Sequence, residues 1–141
     1  MTNADIVRRV AEEPWSGDYS SIDELVAPEY IGHDPAMPDT IGPQGVKDFY
    51  DQFKAAYPDG KLTIQQQIGE GDYVASRWIG TGTQQGELMG VAPTGKQVTV
   101  TGITISRIAD GKIAEEWTNW DTLGMLTQLG AIPAPAQAAT T

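Results

Sequence analysis

The spacing of apolar residues divides this chain into a helical first part and a second part made of strands. Before Pro58, apolar residues recur every three or four positions, which predicts helices over 3–13, 20–26 and 43–57. The last helix has the clearest signal, because Pro43 suits the first helical position and the apolar stripe ends at Tyr57. Between these helices, residues 30–35 predict a short extended segment and residues 36–40 a loop.

From Lys61 onward the period of the pattern changes to two, which is typical of strands with one buried face. Turn residues separate four such segments, and they predict strands over 61–68, 73–83, 97–108 and 113–120. A short helix over 122–129 closes the pattern before Gly130. Helices followed by a meander of long strands predict the α+β class, with helices packed on a curved antiparallel sheet that encloses an apolar pocket.

Composition narrows the function classes. The chain has 141 residues with 19 acidic and 9 basic side chains, so its formal net charge of -10 argues against nucleic-acid or polybasic membrane binding. The absence of Cys and the single His exclude disulfides, Cys-bound zinc and multi-histidine metal sites. No segment approaches the roughly 18 apolar residues of a membrane span. We therefore expect a soluble cytoplasmic protein with one domain over 1–130 and a flexible tail over 131–141.

The last predicted strand carries the densest set of polar and aromatic residues. Strict alternation places Glu115, Trp117, Asn119 and Asp121 on one face, which we expect to line the pocket. The other face, represented by Ala114, Thr118 and Trp120 and joined by Val98 and Val100, would then be the exposed convex side and a dimer interface. Desolvation by the two tryptophans would raise the pKa of Asp121 toward the range useful for proton transfer. The spacing of the residues that follow favours Asp121 as the N-cap of the last helix, although one residue could do both.

Other candidates are more scattered along the chain. His33 could act as a base, a donor or a turn residue beside Pro35. Trp78 and Trp117 could stack on a flat ligand. Arg77 and Arg107 could neutralise an acidic ligand, although strand arginines more often cover the sheet with their stems.

Several motifs in a fixed order resemble the SnoaL-like polyketide cyclases, also called ester cyclases. The likeness spans roughly residues 5 to 130 and rests on GHDP (32–35), GPQGV (42–46), GTGTQQGELMG (80–90), PTGKQV (93–98), TGI (101–103), DGKI (110–113), EEW (115–117) and WD (120–121). The resemblance implies an α+β cone of the cystatin-like type, as in nuclear transport factor two and ketosteroid isomerase. It also implies the absence of a metal or organic cofactor and assembly into a homodimer or higher homo-oligomer.

The family's chemistry is the closure of a ring in an aromatic polyketide ester by intramolecular aldol condensation, a cofactor-free lyase or isomerase reaction. Carried over by the Trp-Asp motif, the resemblance implies that Asp121 is the general acid/base. A small hydrophobic or aromatic substrate would be bound by a set of polar and aromatic side chains: His33, Trp78, Gln84, Trp117 and Asn119.

Two other functions remain open from the sequence. A hydrolase like the epoxide hydrolases of this fold would need two acids and an arginine around a water, and Asp34, Arg77 and Asp121 are the available set. A non-catalytic ligand-binding module would keep the aromatic pocket and use Asp121 only as a helix cap.

Overall fold

Helices cover one face of a single six-stranded sheet, in a computed structural model that describes residues 1–133. Part of the predicted tail, residues 134–141, lies outside the described residues. The helices are α1 (Asn3–Glu12), α2 (Ser20–Leu25), α3 (Gly42–Ala56) and α4 (Thr122–Gln128), with a 3₁₀ helix at Glu13–Ser16. The strands are β1 (Val26–Asp34), β2 (Met37–Ile41), β3 (Lys61–Glu70), β4 (Tyr73–Thr83), β5 (Gln97–Ala109) and β6 (Lys112–Trp120).

The strand order is β2-β1-β6-β5-β4-β3, and all neighbours are antiparallel except the parallel pair β1 and β6. The predicted α+β class is confirmed, as are the four strands from Lys61 onward. The loop predicted over residues 36–40 is wrong, because Met37–Ile41 pairs with β1 as an edge strand. An edge strand needs only one hydrogen-bonded side, so it tolerates Pro38 and lacks the apolar alternation that reveals inner strands.

The helices pack on the concave face of the sheet and bury two groups of apolar side chains. The larger group joins α1, α2 and α3 to the sheet and includes Ile22 and Ile113, which are fully buried. The smaller group lies at the other end, where Met125 and Leu129 pack on Ala56 and Leu88. A space remains between the two groups. None of the helices within residues 1–133 has the length and apolarity to cross a membrane.

A β-bulge in β6 decides which side chains face the helices. Arg107 pairs with Glu115, but the next residue of β5, Ile108, pairs with Ile113, so β6 carries one extra residue at Ala114. A bulge of this kind shifts the alternation by one position. As a result Ile113 and Ala114 are both buried, although strict alternation would place them on opposite faces.

Candidate active site

The space between helices and sheet is an apolar cavity of about 200 Å³. Its wall comes mainly from α1, α3 and the concave face of the sheet, and it combines aliphatic with aromatic side chains. The aromatic residues that line it are Trp15, Tyr30, Phe49, Tyr50, Phe53, Tyr57, Trp78 and Trp120. Phe49 and Phe53 lie on adjacent turns of α3 with ring centroids 4.6 Å apart, so they form a continuous apolar surface.

Trp78 lies in the middle of this wall because the neighbouring strand has no side chain there. Gly102 is its cross-strand partner, and a Cβ at Gly102 would lie only 2.3 Å from the Trp78 ring. The indole Nε1 of Trp78 donates to Thr104 Oγ1 at 3.1 Å, and that hydroxyl is 2.9 Å from Thr118 Oγ1. Trp78, which the sequence predicts to bind substrate, thus lies in the cavity wall.

Glu116 is the acid of β6 that lines the cavity. Tyr30 donates its hydroxyl to Oε1 at 2.8 Å, and the buried Ser106, its cross-strand partner, donates to Oε2 at 2.6 Å. Burial raises the pKa of Glu116 above its usual value, although both hydrogen bonds act in the opposite direction. The pKa of Tyr30 lies well above its ordinary value because the phenol is buried and next to this carboxyl group.

Asp34 is a second acid that lines the cavity, at the end of β1. The indole Nε1 of Trp120 donates to its Oδ2 at 2.7 Å, and the backbone N–H of Ala36 donates to its Oδ1 at 2.8 Å. This pair joins β1 to the end of β6. Asp34 therefore holds the cavity wall together at the point where the parallel strands meet.

Asp121 lies outside the residues that line this cavity. It is the N-cap of α4, is exposed, and its Oδ1 accepts the backbone N–H of Gly124 at 2.8 Å. The geometry matches the helix-cap alternative and brings no cavity group next to the Asp121 carboxylate. The Trp120 that precedes it points the opposite way, into the cavity, so the Trp-Asp motif is divided between the two faces of β6.

The face assignment made from strict alternation is therefore reversed. Glu116, Thr118 and Trp120 line the cavity, whereas Trp117 and Asn119 are exposed on the outer face. Val98 and Val100, expected on the convex side, line the cavity as well. Nothing in the sequence of β6 itself distinguishes its two faces, since both carry a glutamate, a tryptophan and a polar residue.

His33 is among the β1 residues that line the cavity, but the contacts of its imidazole lie on the outer face of the sheet. Nε2 is 2.7 Å from Glu115 Oε2, and the ring stacks on Trp117 at a centroid distance of 5.7 Å. The hydrogen bond to Glu115 raises the pKa of His33, and the same bond lowers the pKa of Glu115. Arg107 also donates to Glu115, at 3.3 Å. His33 and Trp117 thus lie together, but outside the cavity.

Gln84 is fully buried, but in the connection between β4 and β5 rather than in the cavity. Its Nε2 donates to the carbonyl of Val91 at 3.0 Å, and its Oε1 accepts from the backbone N–H and the hydroxyl of Thr94. The side chain therefore organises its own loop. Of the substrate-binding residues named from the sequence, Trp78 alone has its side-chain contacts on the cavity side.

The groups that meet around Glu116 were not predicted from the sequence. Tyr30 is 86 residues from Glu116 along the chain and meets it through the parallel pairing of β1 with β6, whereas Ser106 meets it through the register of the adjoining strand β5. Tyr30 lay in a short extended segment without a predicted sheet partner. Among the described residues, no three His, Asp or Glu side chains converge into a group that could hold a metal ion.

Comparison with known proteins places this fold and cavity in a family. Residues 4–129 match the family described as SnoaL-like polyketide cyclase. The chain belongs to this family. The aklanonic acid methyl ester cyclase DnrD of Streptomyces peucetius is 29% identical over 132 residues, which cover 92% of this chain and 91% of DnrD.

Solved structures agree with that placement. IdmH of Streptomyces antibioticus, a proposed polyketide cyclase, is 34% identical with a TM-score of 0.79, over 92% of this chain and 99% of IdmH. A Catenulispora acidiphila protein with a ketosteroid isomerase-like fold has a TM-score of 0.76 at 20% identity, over 92% of this chain and 95% of that one. The latter likeness concerns the fold alone. The family and the cone-shaped α+β fold expected from the sequence motifs are confirmed.

Proposed function

We propose that this protein closes a ring in an aromatic polyketide ester by intramolecular aldol condensation. The observation that carries the proposal is the aromatic cavity with two carboxyl groups in its wall, Asp34 and Glu116. Its similarity to an aklanonic acid methyl ester cyclase supports the same class of reaction. A cavity of this kind would hold a flat substrate folded and exclude water, so that little conformational entropy is lost in the reaction step.

The reaction needs only proton transfers. A carboxylate removes a proton from a carbon next to a carbonyl, and the resulting enolate carbon attacks a second carbonyl of the same molecule. The new carbon–carbon bond leaves an alkoxide, which takes the proton back from the carboxylic acid. Trp78 and the two phenylalanines of α3 are positioned to hold the flat part of the substrate during these steps.

The geometry supports neither Asp121 as the acid/base nor the hydrolase alternative. The carboxylate of Asp121 caps α4, while Arg77 donates to Gln65 and Gln66 on the outer face. Asp34 is thus not brought together with Arg77 and Asp121 around one water. A non-catalytic binding module is the remaining alternative, and turnover distinguishes it.

We also propose that the protein is a homodimer that pairs through the outer face of its sheet, not through the side expected from strict alternation. Cross-strand neighbours form one row on this face, in the order Ile68, Ala75, Ile105, Trp117 and His33. Ile68, Ile105 and Trp117 are 63%, 43% and 38% exposed. Exposed apolar residues in a continuous row are typical of a protein–protein interface. In a two-fold dimer, the same row of the second copy would cover them.

The first test is turnover of aromatic polyketide methyl esters that carry a free ketone. We expect ring-closed product from the wild type. This product has the same mass as the substrate, so it is detected by its different chromatographic retention time and absorbance. A protein that binds these esters without converting them would be a binding module, and the proposed reaction would be wrong.

Sedimentation velocity tests the dimer separately. We expect the wild type to sediment at twice the chain mass and Ile105→Lys at the chain mass, with Gln52→Lys on the exposed side of α3 as the control that stays dimeric. A monomeric wild type at micromolar concentration would contradict this proposal without affecting the proposed reaction.

A further inference from the structure

We infer that Glu116 is the carboxyl group that moves the proton in the cavity; this rests on the proposed ring closure. Two acids, Asp34 and Glu116, line the cavity among the described residues. The choice between them follows from the kind of hydrogen-bond donor that each carboxylate faces.

Asp34 is held by two N–H groups, the indole of Trp120 and the backbone amide of Ala36. An N–H group of this type can donate but cannot accept. An N–H donor therefore favours the carboxylate form and cannot accept a hydrogen bond from a carboxylic acid. Both oxygens of Asp34 are thus engaged by N–H donors, which suits a structural link between β1 and β6.

Glu116 is held by two hydroxyl groups, Tyr30 on Oε1 and Ser106 on Oε2. A hydroxyl group can donate to the carboxylate and, after rotation, accept from the carboxylic acid. Both hydrogen bonds can thus be kept when Glu116 gains or loses a proton. Each carboxylate oxygen also has a second lone pair that these two contacts do not use, and Glu116 lines the cavity.

The surroundings of Glu116 also favour its action as a base. Burial in the apolar wall raises the pKa of Glu116 above its ordinary value, and a raised pKa makes the carboxylate a stronger base. The position is fixed on both sides, because Tyr30 comes from β1 and Ser106 from β5 while Glu116 itself lies between them on β6. A carboxyl group held in this way loses little freedom when the substrate arrives.

The proposed step balances without a further reagent. The Glu116 carboxylate takes the proton from the carbon next to the substrate carbonyl and becomes a carboxylic acid, and the electron pair of the C–H bond forms the enolate. The enolate carbon then bonds to the second carbonyl carbon, whose oxygen becomes an alkoxide. The Glu116 acid returns the proton to that alkoxide, so the side chain ends as the carboxylate it was.

The test compares Glu116→Gln with Glu70→Gln, which removes an exposed carboxylate from the end of β3. Gln keeps the shape of the side chain and an acceptor oxygen, so the fold is expected to survive. Two rates are measured for each variant: ring closure, and exchange of the substrate's α-hydrogen with deuterium from the solvent above the buffer background. We expect Glu116→Gln to lower both rates by about 10²–10⁴-fold, with ligand binding measured by Trp fluorescence retained and Glu70→Gln unchanged.

The two rates separate failure of this inference from failure of the proposed function. Ring closure by Glu116→Gln within a few-fold of the wild-type rate would overturn the inference and leave the proposed function standing. Deuterium exchange by the wild type without ring closure, lost in Glu116→Gln, would support Glu116 and refute the cyclase function. Asp34→Asn serves as the competing variant, and a loss of exchange in it alone would overturn the assignment to Glu116.

Tyr30→Phe gives a readout that a purely structural role would not change. It removes one donor to the ionised form of Glu116, so the acid limb of the pH–rate profile should move to higher pH. An unchanged pH profile with lower activity would mean that Tyr30 acts through packing alone, and that the ionisation controlling the rate belongs to another group.

Discussion

The two faces of β6 carry almost the same kinds of residue and have different environments. On the inner face, Glu116 lies in an apolar wall and meets two hydroxyl groups, and its pKa is raised by burial. On the outer face, Glu115 meets His33 and Arg107, and its pKa is lowered by the hydrogen bond to His33. The pKa values of these adjacent glutamates thus shift in opposite directions, because burial dominates at Glu116 and the hydrogen bond to His33 dominates at Glu115. The residue type alone does not determine which acid can act as a base.

The largest expected effect comes from adding a side chain at Gly102, where the Trp78 ring packs against the inner face. Gly102→Ala places a Cβ 2.3 Å from the Trp78 ring, so the ring must leave its position in the cavity wall. We expect a loss of about 1–3 kcal/mol in the free energy of unfolding from overpacking, together with weaker binding of aromatic ligands. Urea unfolding and Trp fluorescence measure the two effects.

The matched control for Gly102→Ala is its exposed neighbour on the opposite face of β5. Thr101→Ala should change the free energy of unfolding by no more than about 0.5 kcal/mol, as is usual at exposed positions. Equal effects of the two substitutions would contradict the contrast between the faces.

A smaller effect is expected at Asp121, where charge and capping can be separated. Asp121→Ala removes the acceptor for Gly124 N–H and should cost about 1 kcal/mol, whereas Asp121→Asn keeps a good cap and should cost much less. Thermal unfolding of both variants measures this, and ring closure is assayed alongside. Loss of activity in Asp121→Asn with unchanged stability would identify Asp121 as the acid/base and contradict the assignment of that role to Glu116.

The smallest effect concerns the pH dependence of stability on the outer face. The pKa of His33 is raised in the folded protein, so its contribution is present below the ordinary pKa of His and is lost as the pH rises through the raised value. The pKa of Glu115 is lowered, so its contribution is lost as the pH falls through that lowered value. The Tm difference between wild type and His33→Gln should therefore be greatest in mildly acidic solution and shrink toward pH 9. A difference that grows with pH would contradict the His33–Glu115 pairing.

The sequence was sufficient for the class of fold, the family and the strands from Lys61 onward, because those segments alternate clearly and carry the family's motifs. It was insufficient for the site, for two physical reasons. The extra residue at Ala114 changes the alternation at the start of β6. In the rest of that strand the two faces carry similar residues, so the pattern does not show which face is buried. The parallel pairing of β1 with β6 brings Tyr30 and Asp34 to the cavity from a segment whose place in the sheet has no local signal.

The functional tryptophans illustrate the same limit. Trp78, Trp117 and Trp120 look equivalent in the sequence, but Trp117 lies on the outer face and the other two line the cavity. Gly102 was the available clue to Trp78, since a glycine inside a long strand indicates close approach by another group. Which group approaches it follows only from the register of β4 against β5.

The sheet does not close, and its two free edges have a consequence for aggregation. An open edge strand offers unpaired backbone groups on which another chain can add a strand, and natural proteins block this with prolines and bulges. Edge strand β2 contains Pro38, and edge strand β3 is interrupted by a bulge at Gln65. Copies of this protein that meet edge to edge therefore find a poor template for a continuous ribbon of strands. The concentrated solutions that favour pairing through the outer face should for this reason remain free of fibrils.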